Sequence, residues 1–289
     1  MTASNELRLN ALPSTPPMLL KAAITRKKPS NSPSFPNYVL EVANIRCNSK
    51  QLRRYNRACG FDENTSTLSM SFLHVQVFRL HMKMMLDKAF PLAPMGCVHL
   101  SNTIVQHRPI AATEVLRLRC NIAEHSVTDK GYEFTFHCDA YSGAELIWED
   151  DSRYLSRAKT GIPGAPKAAR AEPRSYAQSR TITISRSDAR SYARASGDFN
   201  PIHLHDISAK VLGFKRMVIH GMWSKAACLA ALNKEIQADA YRCQVEFKTP
   251  IFLPASVRLD YEAKGASLEF ELRDKTGVKP HLIGQIQPL

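Results

Sequence analysis

Hydrophobic and polar positions in the second half of the chain predict one long helix among several strands. Residues 221–237 would be apolar on nearly every side of a helix, which is typical of a buried helix. A short helix is predicted over residues 188–195, with Gly197 as a suitable C-cap residue, and residues 200–214 are predicted to form an irregular crossing segment. Alternating apolar and polar residues predict strands at residues 180–185, 241–248, 256–263, 267–273 and 281–287.

The first half of the chain repeats this order of elements. Helices are predicted over residues 49–58 and 72–88. Strands are predicted at residues 38–42, 98–107, 114–125, 132–140 and 146–155. Consecutive strands after a single long helix argue against a parallel sheet built from strand–helix–strand units. The predicted fold class is therefore α+β, with an antiparallel sheet wrapped around a central helix in each half.

Two pairs of matched segments indicate that the halves arose by duplication. Residues 55–60 read Tyr-Asn-Arg-Ala-Cys-Gly and residues 192–197 read Tyr-Ala-Arg-Ala-Ser-Gly, so four of six positions are identical. The offset between these segments is 137 residues. Pro109 and Pro250, each followed by isoleucine, lie at an offset of 141. Two landmarks at nearly one offset favour a repeated domain.

Proline and glycine clusters set the predicted domain boundaries. Residues 1–36 are rich in Pro, Ser and Lys and are predicted to form a flexible N-terminal arm. Residues 158–175 contain two glycines and three prolines, which interrupt helices and strands, so this stretch is predicted to be a linker. The predicted domains are residues 37–157 and residues 176–289.

Composition narrows the class of protein. With 289 residues, 44% of them hydrophobic, the chain is long enough for two packed domains. A formal net charge of +13 favours an anionic partner: nucleic acid, a membrane surface, a phosphorylated cofactor or an acidic carrier protein. Seven cysteines without a closely spaced pair argue against a disulfide framework or a zinc site and favour a reducing cytoplasm. No apolar stretch has the length of a membrane span.

The segment after the second matched motif carries the candidate chemistry. Asp198 and His203 lie five residues apart, and Asn200-Pro201 between them favours an extended turn, because a residue before proline avoids the helical region. A carboxylate and an imidazole that flank one water could remove its proton and deliver a proton to carbon. Alternatively the pair is structural, with Asp198 capping a turn and His203 satisfied in the core.

The first half of the chain helps to decide between a catalytic and a structural role for Asp198 and His203. At an offset of 137, Asp198 corresponds to Phe61 and His203 corresponds to Ser66, so the first copy lacks both groups. A purely structural pair would be expected to persist in both copies. The difference favours one working site per chain, in a catalytic C-terminal domain that follows a degenerate N-terminal domain.

The stretch from Tyr192 to His203 resembles the motif of the MaoC-like hydratases, the hydratase-2 branch of the hot-dog fold. Residues 218–222 resemble that family's entry into its central helix, and residues 245–254 resemble its characteristic strand and turn. The resemblance covers the C-terminal half well and the N-terminal half only at the level of the fold. It implies a double hot-dog and (R)-specific hydration of 2-enoyl thioesters, or the reverse dehydration.

The resemblance also implies roles for individual residues. Asp198 and His203 would form the catalytic pair that holds the water, Asn200 would orient the segment, and Gly221 would offer its backbone N–H to the thioester oxygen. A helix N-terminus at Gly221 would suit a developing enolate, because its free N–H groups and the helix dipole favour negative charge. For His220, a hydrogen bond within the site and a packing role at the helix entry both stay open. The residues predicted to contact the substrate are Ser196, Phe199, Pro201, Ile219, His220, Met222 and Lys248.

The implied substrate is carried by coenzyme A or by acyl carrier protein, and both are anionic, which suits the charge of +13. No metal or redox cofactor is needed for the implied chemistry. Two alternatives on the same fold are a thioesterase and a non-catalytic acyl-thioester-binding protein. Binding of nucleic acid would rest on charge alone and is not predicted. A monomer and a homodimer both stay open.

Overall fold

Three stretches of the chain, residues 5–27, 33–164 and 174–289, are described by the computed structural model. Two units interleave along the sequence: the described part of the first comprises residues 5–27, 33–46, 74–102 and 114–164, and that of the second comprises residues 47–73, 103–113 and 174–289. Residues 165–173 of the predicted linker lie outside the described stretches. The domain boundaries proposed from the sequence stay a prediction.

The first unit begins with ordered elements in place of a flexible arm. Strand β1 (Asn5–Leu9) pairs in parallel with β2 (Tyr38–Arg46). Helix α1 (Thr15–Ile24) has two prolines in its first turn, where a backbone N–H would have no acceptor inside the helix. It buries Met18 and Ala22. The expectation of a flexible arm is corrected for these residues, because buried contacts and strand pairing compensate for their proline-rich composition.

The sheet of the first unit has the strand order β1-β2-β4-β5-β6-β3. Its pairings β2 with β4, β4 with β5, and β5 with β6 are antiparallel. The strands not yet defined are β3 (Cys97–Gln106), β4 (Val115–Thr128), β5 (Gly131–Ser142) and β6 (Glu145–Arg157). Each of them overlaps a strand that the sequence predicts.

Helix α3 (Phe72–Met85) packs on one face of this sheet. The ring of His81 stacks on Phe136 of β5 with centroids 4.4 Å apart, and Met84 Sδ lies 3.8 Å from Cys120 Sγ of β4. Since most of the side chains of α3 are buried, this is the central helix expected for a hot-dog sheet.

The sheet of the second unit is antiparallel throughout its order β8-β11-β10-β9-β7. Its strands are β7 (Gln178–Ile184), β8 (Tyr241–Phe247), β9 (Ala255–Lys264), β10 (Ser267–Asp274) and β11 (Pro280–Pro288). Alternate residues of β8 are buried, among them Cys243 and Val245, as the alternation in the sequence predicts.

Helix α6 (Gly221–Ala231) is the central helix of this unit. Residues 222–229 are all buried, and the ammonium group of Lys225 donates to the carbonyl of Cys243 in β8 at 3.0 Å. The indole of Trp223 donates to the carbonyl of Ala58 at 2.6 Å. The helix is shorter than the predicted 221–237, because the chain leaves the helical hydrogen-bond pattern after Ala231.

Two short helices of the second unit confirm the matched segments. Helix α2 (Ser49–Cys59) and helix α4 (Arg186–Ser196) each contain 11 residues and end at a glycine with positive φ, 89° at Gly60 and 79° at Gly197. Such a φ is strained for other residue types, so both glycines are required by the same C-terminal cap. The α+β fold class is confirmed. None of the helices that the structure describes is long and apolar enough to cross a membrane.

Candidate active site

The chain leaves helix α4 through a series of local hydrogen bonds that place Asp198. A capping box at Ser185 and Asp188 starts the helix, and Gly197 ends it. The backbone N–H of Asp198 then donates to the hydroxyl of Ser196 at 3.1 Å. The carboxylate of Asp198 accepts the N–H of Asn200 at 3.1 Å, so the acid is held by its own segment.

Asn200 organises the next turn. Its side-chain oxygen accepts the N–H of Ile202 at 3.3 Å, and its carbonyl accepts the N–H of His203 at 2.9 Å. Pro201 begins a single 3-10 turn that ends at His203. The turn predicted from Asn200-Pro201 is confirmed, and it brings the imidazole back toward Asp198.

A second helix lies within the segment that the sequence predicts to be irregular. Helix α5 (Asp206–Val211) is capped by the side chain of His205, which is exposed. Asp206 accepts the N–H of Met217 at 2.9 Å and a hydrogen bond from Arg186 at 2.8 Å. These bonds fix the stretch that enters α6. The sequence pattern did not single out Asp206, although an Asp directly after a capping residue is a usual first-turn signal.

Asp198, His203 and His220 form one cluster. One carboxylate oxygen and one ring nitrogen from each histidine lie within 4.8 Å of one another. The Nδ1 of His203 is 2.7 Å from the carbonyl of Val218, and the Nε2 of His220 is 2.9 Å from the backbone carbonyl of Asp198. The two imidazole rings stack with centroids 3.6 Å apart, and the ring centroid of Tyr192 lies 4.8 Å from that of His220. His220 therefore both bonds within the site and fills the helix entry.

These contacts define which nitrogens carry protons. A carbonyl oxygen only accepts, so His203 donates from Nδ1 and keeps the lone pair on Nε2 when neutral. Burial lowers the pKa of His203, although the charge of Asp198 and the bond to Val218 oppose that effect. Burial, together with the adjacent His203, lowers the pKa of His220 well below its ordinary 6.5. Both rings are thus neutral at neutral pH.

The depressed pKa values predict an acid limb of the pH–rate profile below pH 6.5. Because the folded-state pKa of His203 lies below 6.5, the basic form of its ring persists under mildly acidic conditions. The same shift stabilises the fold above pH 6.5, and this contribution is lost as pH falls toward the folded-state pKa. The measurement is the turnover number kcat between pH 4.5 and 8, with circular dichroism at each pH to show that the protein stays folded. A half-maximal point at or above pH 6.5 would contradict the burial argument.

Gly221 lies at the N-terminus of α6, next to the aromatic ring of Phe247. A Cβ atom at this position would lie 3.1 Å from Phe247 Cε1 and 3.2 Å from Cδ1. A glycine therefore lets strand β8 approach the helix closely. The first backbone N–H groups of a helix have no carbonyl partner inside the helix, so they are available to an oxygen atom at this end.

The other predicted site residues differ in their exposure and in their position relative to Asp198 and His203. Phe199 and Pro201 are partly exposed beside the pair, and Ile219 and Met222 are buried on either side of the start of α6. Lys248 is exposed after the end of β8, where it pairs with Glu246. The structure does not bring the ammonium group of Lys248 into the Asp198 cluster.

The segment of the first copy that corresponds to residues 198–220 is shorter than a constant offset of 137 residues would require. The carbonyl of Ser66 accepts the N–H of Ala112, and the carbonyl of Met217 accepts the N–H of Leu253, each at 2.8 Å. Ser66 is thus the counterpart of Met217, and its assignment to His203 was wrong. The reason is a deletion: residues 61–71 connect α2 to α3, whereas residues 198–220 connect α4 to α6.

Three groups of described side chains bring metal-binding atoms close together, and the Asp198 cluster is one of them. In another, His81 Nε2 lies 3.2 Å from Cys138 Sγ, beside Cys120. Burial raises the pKa of the Cys138 thiol, and a protonated thiol is a poor metal ligand. The third group lies around His137, whose ring bonds to carboxylates.

Sequence comparison finds relatives of this chain. The model of the MaoC like domain matches residues 167–283, which include the whole Asp198 cluster. The 3-hydroxyacyl-thioester dehydratase X of Mycobacterium tuberculosis is 33% identical over 205 residues, which are 69% of this chain and 71% of that protein.

Solved structures agree with these relatives. The crystal structure of HtdX from Mycobacterium tuberculosis superposes with a TM-score of 0.76 at 25% identity, over 87% of this chain and 100% of that chain. A MaoC-like dehydratase from Phytophthora capsici superposes with a TM-score of 0.70 at 18% identity, over 87% of this chain and 94% of that chain. The second likeness concerns the fold alone.

Proposed function

This chain belongs to the MaoC-like dehydratase family, and on that premise we propose that Asp198 and His203 interconvert 2-enoyl and (R)-3-hydroxyacyl thioesters. The family makes the protein a hydro-lyase that adds water to, or removes it from, acyl thioesters. The observation that carries the assignment to this pair is the hydrogen bond from His203 Nδ1 to the carbonyl of Val218. It leaves a basic nitrogen beside a carboxylate.

In the hydration direction, a water lies between the carboxylate of Asp198 and Nε2 of His203. His203 accepts a proton from the water as its oxygen bonds to C3 of the enoyl group. The electron pair of the double bond moves toward the thioester carbonyl, and the proton is returned to C2. In dehydration, His203 takes the C2 proton and transfers it to the leaving C3 hydroxyl, which Asp198 holds. A positioned proton transfer of this kind accelerates a reaction roughly 10²- to 10⁴-fold.

Negative charge develops on the thioester oxygen in both directions. The N–H groups at the start of α6, including that of Gly221, are the donors proposed for this oxygen. They belong to a helix of 11 residues whose positive dipole end favours an enolate. Asn200 and His220 are positioning residues, because each bonds to the segment that carries Asp198.

Replacement of Gly221 by Ala tests the oxyanion role. The added methyl group would press on the ring of Phe247, so the helix start or the ring must shift by a few tenths of an ångström. We expect kcat to fall about 10- to 100-fold with little change in the melting temperature. Recovery of activity in the double variant Gly221→Ala/Phe247→Leu would trace the loss to this contact. A single variant with unchanged kcat would contradict the role.

The substrate is proposed to be carried by coenzyme A or acyl carrier protein. Both carriers are anionic, and the chain's formal charge of +13 supports their attraction. The proposed steps use only side chains and backbone N–H groups, without a metal or redox cofactor. The seven cysteines are all free thiols, which supports a reducing cytoplasm as the compartment.

The first experiment follows the ultraviolet absorbance of the enoyl-thioester band after the protein is mixed with crotonyl-CoA or a medium-chain 2-enoyl-CoA. Loss of the band without release of free thiol is the expected result. Release of thiol would instead indicate a thioesterase. If neither CoA substrate reacts, the same test with acyl-carrier-linked substrates decides between a carrier-specific enzyme and a non-catalytic binder.

A further inference from the structure

Three sulfur atoms and one imidazole nitrogen meet inside the first unit, between helix α3 and the sheet. The donor atoms of His81, Cys120 and Cys138 lie within 4.8 Å of one another. His81 Nε2 is 3.2 Å from Cys138 Sγ, and Met84 Sδ is 3.8 Å from Cys120 Sγ. These four fully buried side chains form the thiol cluster: His81, Met84, Cys120 and Cys138. None of them is assigned to the reaction.

Regular secondary structure holds the thiol cluster together. His81 and Met84 are three residues apart on α3, and this spacing places both on one face of the helix. Cys120 of β4 and Cys138 of β5 are directly opposite each other in the antiparallel pairing, so both side chains leave the sheet on the same face. The helix and the strand pair thus present two donors each, and the arrangement depends on no loop.

The ring of His81 is oriented for the role of a metal ligand. It stacks on Phe136 with an interplanar angle of 8°, and its Nδ1 lies 3.4 Å from the hydroxyl of Tyr154. A histidine that binds a metal through Nε2 usually donates its Nδ1–H to an oxygen atom, and this partner fixes the ring. The position of the Tyr154 hydroxyl therefore leaves Nε2 as the nitrogen that points into the cluster.

The donor set selects a soft metal ion. It contains no oxygen atom, whereas Mg²⁺ and Ca²⁺ bind oxygen. Zinc sites use Cys, His, Asp and Glu, and a thioether ligand is instead typical of copper. In a tetrahedral site with bonds of about 2.0–2.3 Å, the donor atoms lie roughly 3.3–3.8 Å apart. The distances of 3.2 Å and 3.8 Å within the cluster are close to this range.

We propose that the thiol cluster is a structural site for one Cu(I) ion, which joins helix α3 to strands β4 and β5. Because a protonated thiol is a poor ligand, the ion must bind sulfur strongly enough to replace a thiol proton. One Cu⁺ replaces the proton of one cysteine, and that proton leaves to solvent. The occupied site then carries no net charge, which suits its burial, and no electron is transferred.

The test measures copper in the full chain after expression in copper-supplemented medium and dialysis against a Cu(I) chelator under reducing conditions. We expect one copper ion per chain and a melting temperature above that of the copper-free chain. Cys120→Ala and Cys138→Ala should each lose the copper. Met84→Leu nearly conserves the side-chain volume and should weaken binding, measured by chelator competition, at least about 10- to 100-fold, the usual effect of losing an outer partner of a metal site.

Two variants are matched controls. Met85→Leu removes a buried thioether from the same helix outside the thiol cluster, and Cys228→Ala removes a buried thiol from the second unit. Both variants should retain one copper ion with unchanged affinity. Loss of copper from Cys228→Ala as well as from Cys138→Ala would indicate binding without a defined site and would overturn the proposal.

The remaining outcomes are equally decisive. A parent chain that retains no copper would overturn the proposal. Met84→Leu is expected to stay folded, so an unchanged copper affinity in this variant would overturn the four-donor site even if the cysteine variants fail to fold. Tighter retention of Zn²⁺ than of Cu(I) would overturn the choice of ion. Sulfur and nitrogen neighbours in the copper X-ray absorption spectrum would support the proposed ligands.

Discussion

Replacing His203 with Asn is expected to reduce kcat about 10²- to 10⁴-fold while the protein stays folded. The Asn side chain can still donate to the carbonyl of Val218, in place of the His203 Nδ1 bond of 2.7 Å, but it has no counterpart of Nε2. The variant is therefore expected to keep the local structure and to lose only the proposed base. The measurement is steady-state hydration of a 2-enoyl thioester, with thermal unfolding as the check on the fold.

Asp198→Asn should give a loss of similar size. The amide can still accept the N–H of Asn200, which now bonds to the carboxylate at 3.1 Å, but it cannot hold water as a charged group. His205→Asn is the matched control: His205 lies two residues beyond His203, is exposed and caps α5, and asparagine is a good capping residue. Wild-type turnover in both Asp198→Asn and His203→Asn would contradict the catalytic roles proposed for these two residues.

Replacing Asp150 with Ala is expected to destabilise the fold by about 3–5 kcal/mol. Asp150 is fully buried in the first unit and accepts three hydrogen bonds, from His74 at 2.9 Å, Asn102 at 2.9 Å and Ser152 at 2.7 Å. Alanine would remove the acceptor that the three bonds share, although Asn102 would keep its bond to the hydroxyl oxygen of Ser152 at 3.1 Å. The measurement is the guanidinium unfolding midpoint with the slope held constant, at pH 7.

The neighbouring Asp151 supplies the control for this variant. Its side chain is 52% exposed and pairs with His137, so Asp151→Ala should change stability by less than about 1 kcal/mol. Equal effects of the two substitutions would contradict the role given to the buried carboxylate.

The Asp150 contribution also has a predicted pH dependence. Burial alone would raise the pKa of Asp150, but the His74 ring and the hydrogen bonds hold it below its ordinary value of 3.8. Its stabilisation is thus fully present above about pH 4 and is lost as pH falls toward the folded-state pKa.

Much of the fold follows from the sequence because strands and helices have different periods. The predicted strands at residues 241–248 and 267–273 match β8 and β10 within a residue. The predicted long helices start at the right residues but extend too far at their ends. Apolar residues continue after Ala231, and only the hydrogen-bond pattern shows where the helix stops.

The N-terminal residues show what periodicity misses. Strand β1 has no buried residue and is held by its pairing with β2, about 30 residues later in the chain. A strand of this kind carries little hydrophobic pattern of its own. Composition therefore suggests a flexible arm, and long-range pairing overrides it.

For the site, the sequence by itself determined the local part. Asp198, Asn200 and His203 are joined by hydrogen bonds that span two or three residues, so their turn is encoded within one short segment. The same short range explains why the helix cap at Gly197 can be predicted from the sequence alone. Local chemistry of this kind depends on neighbours in sequence, which a sequence displays directly.

Only the tertiary structure decided the rest. The protonation of His203 depends on Val218, 15 residues away, and the place of His220 depends on a bond to Asp198 across 22 residues. The bond of Asp150 to His74 spans 76 residues. Burial and hydrogen-bond satisfaction are properties of the packed chain, so no local pattern could reveal which of these polar groups would be paired.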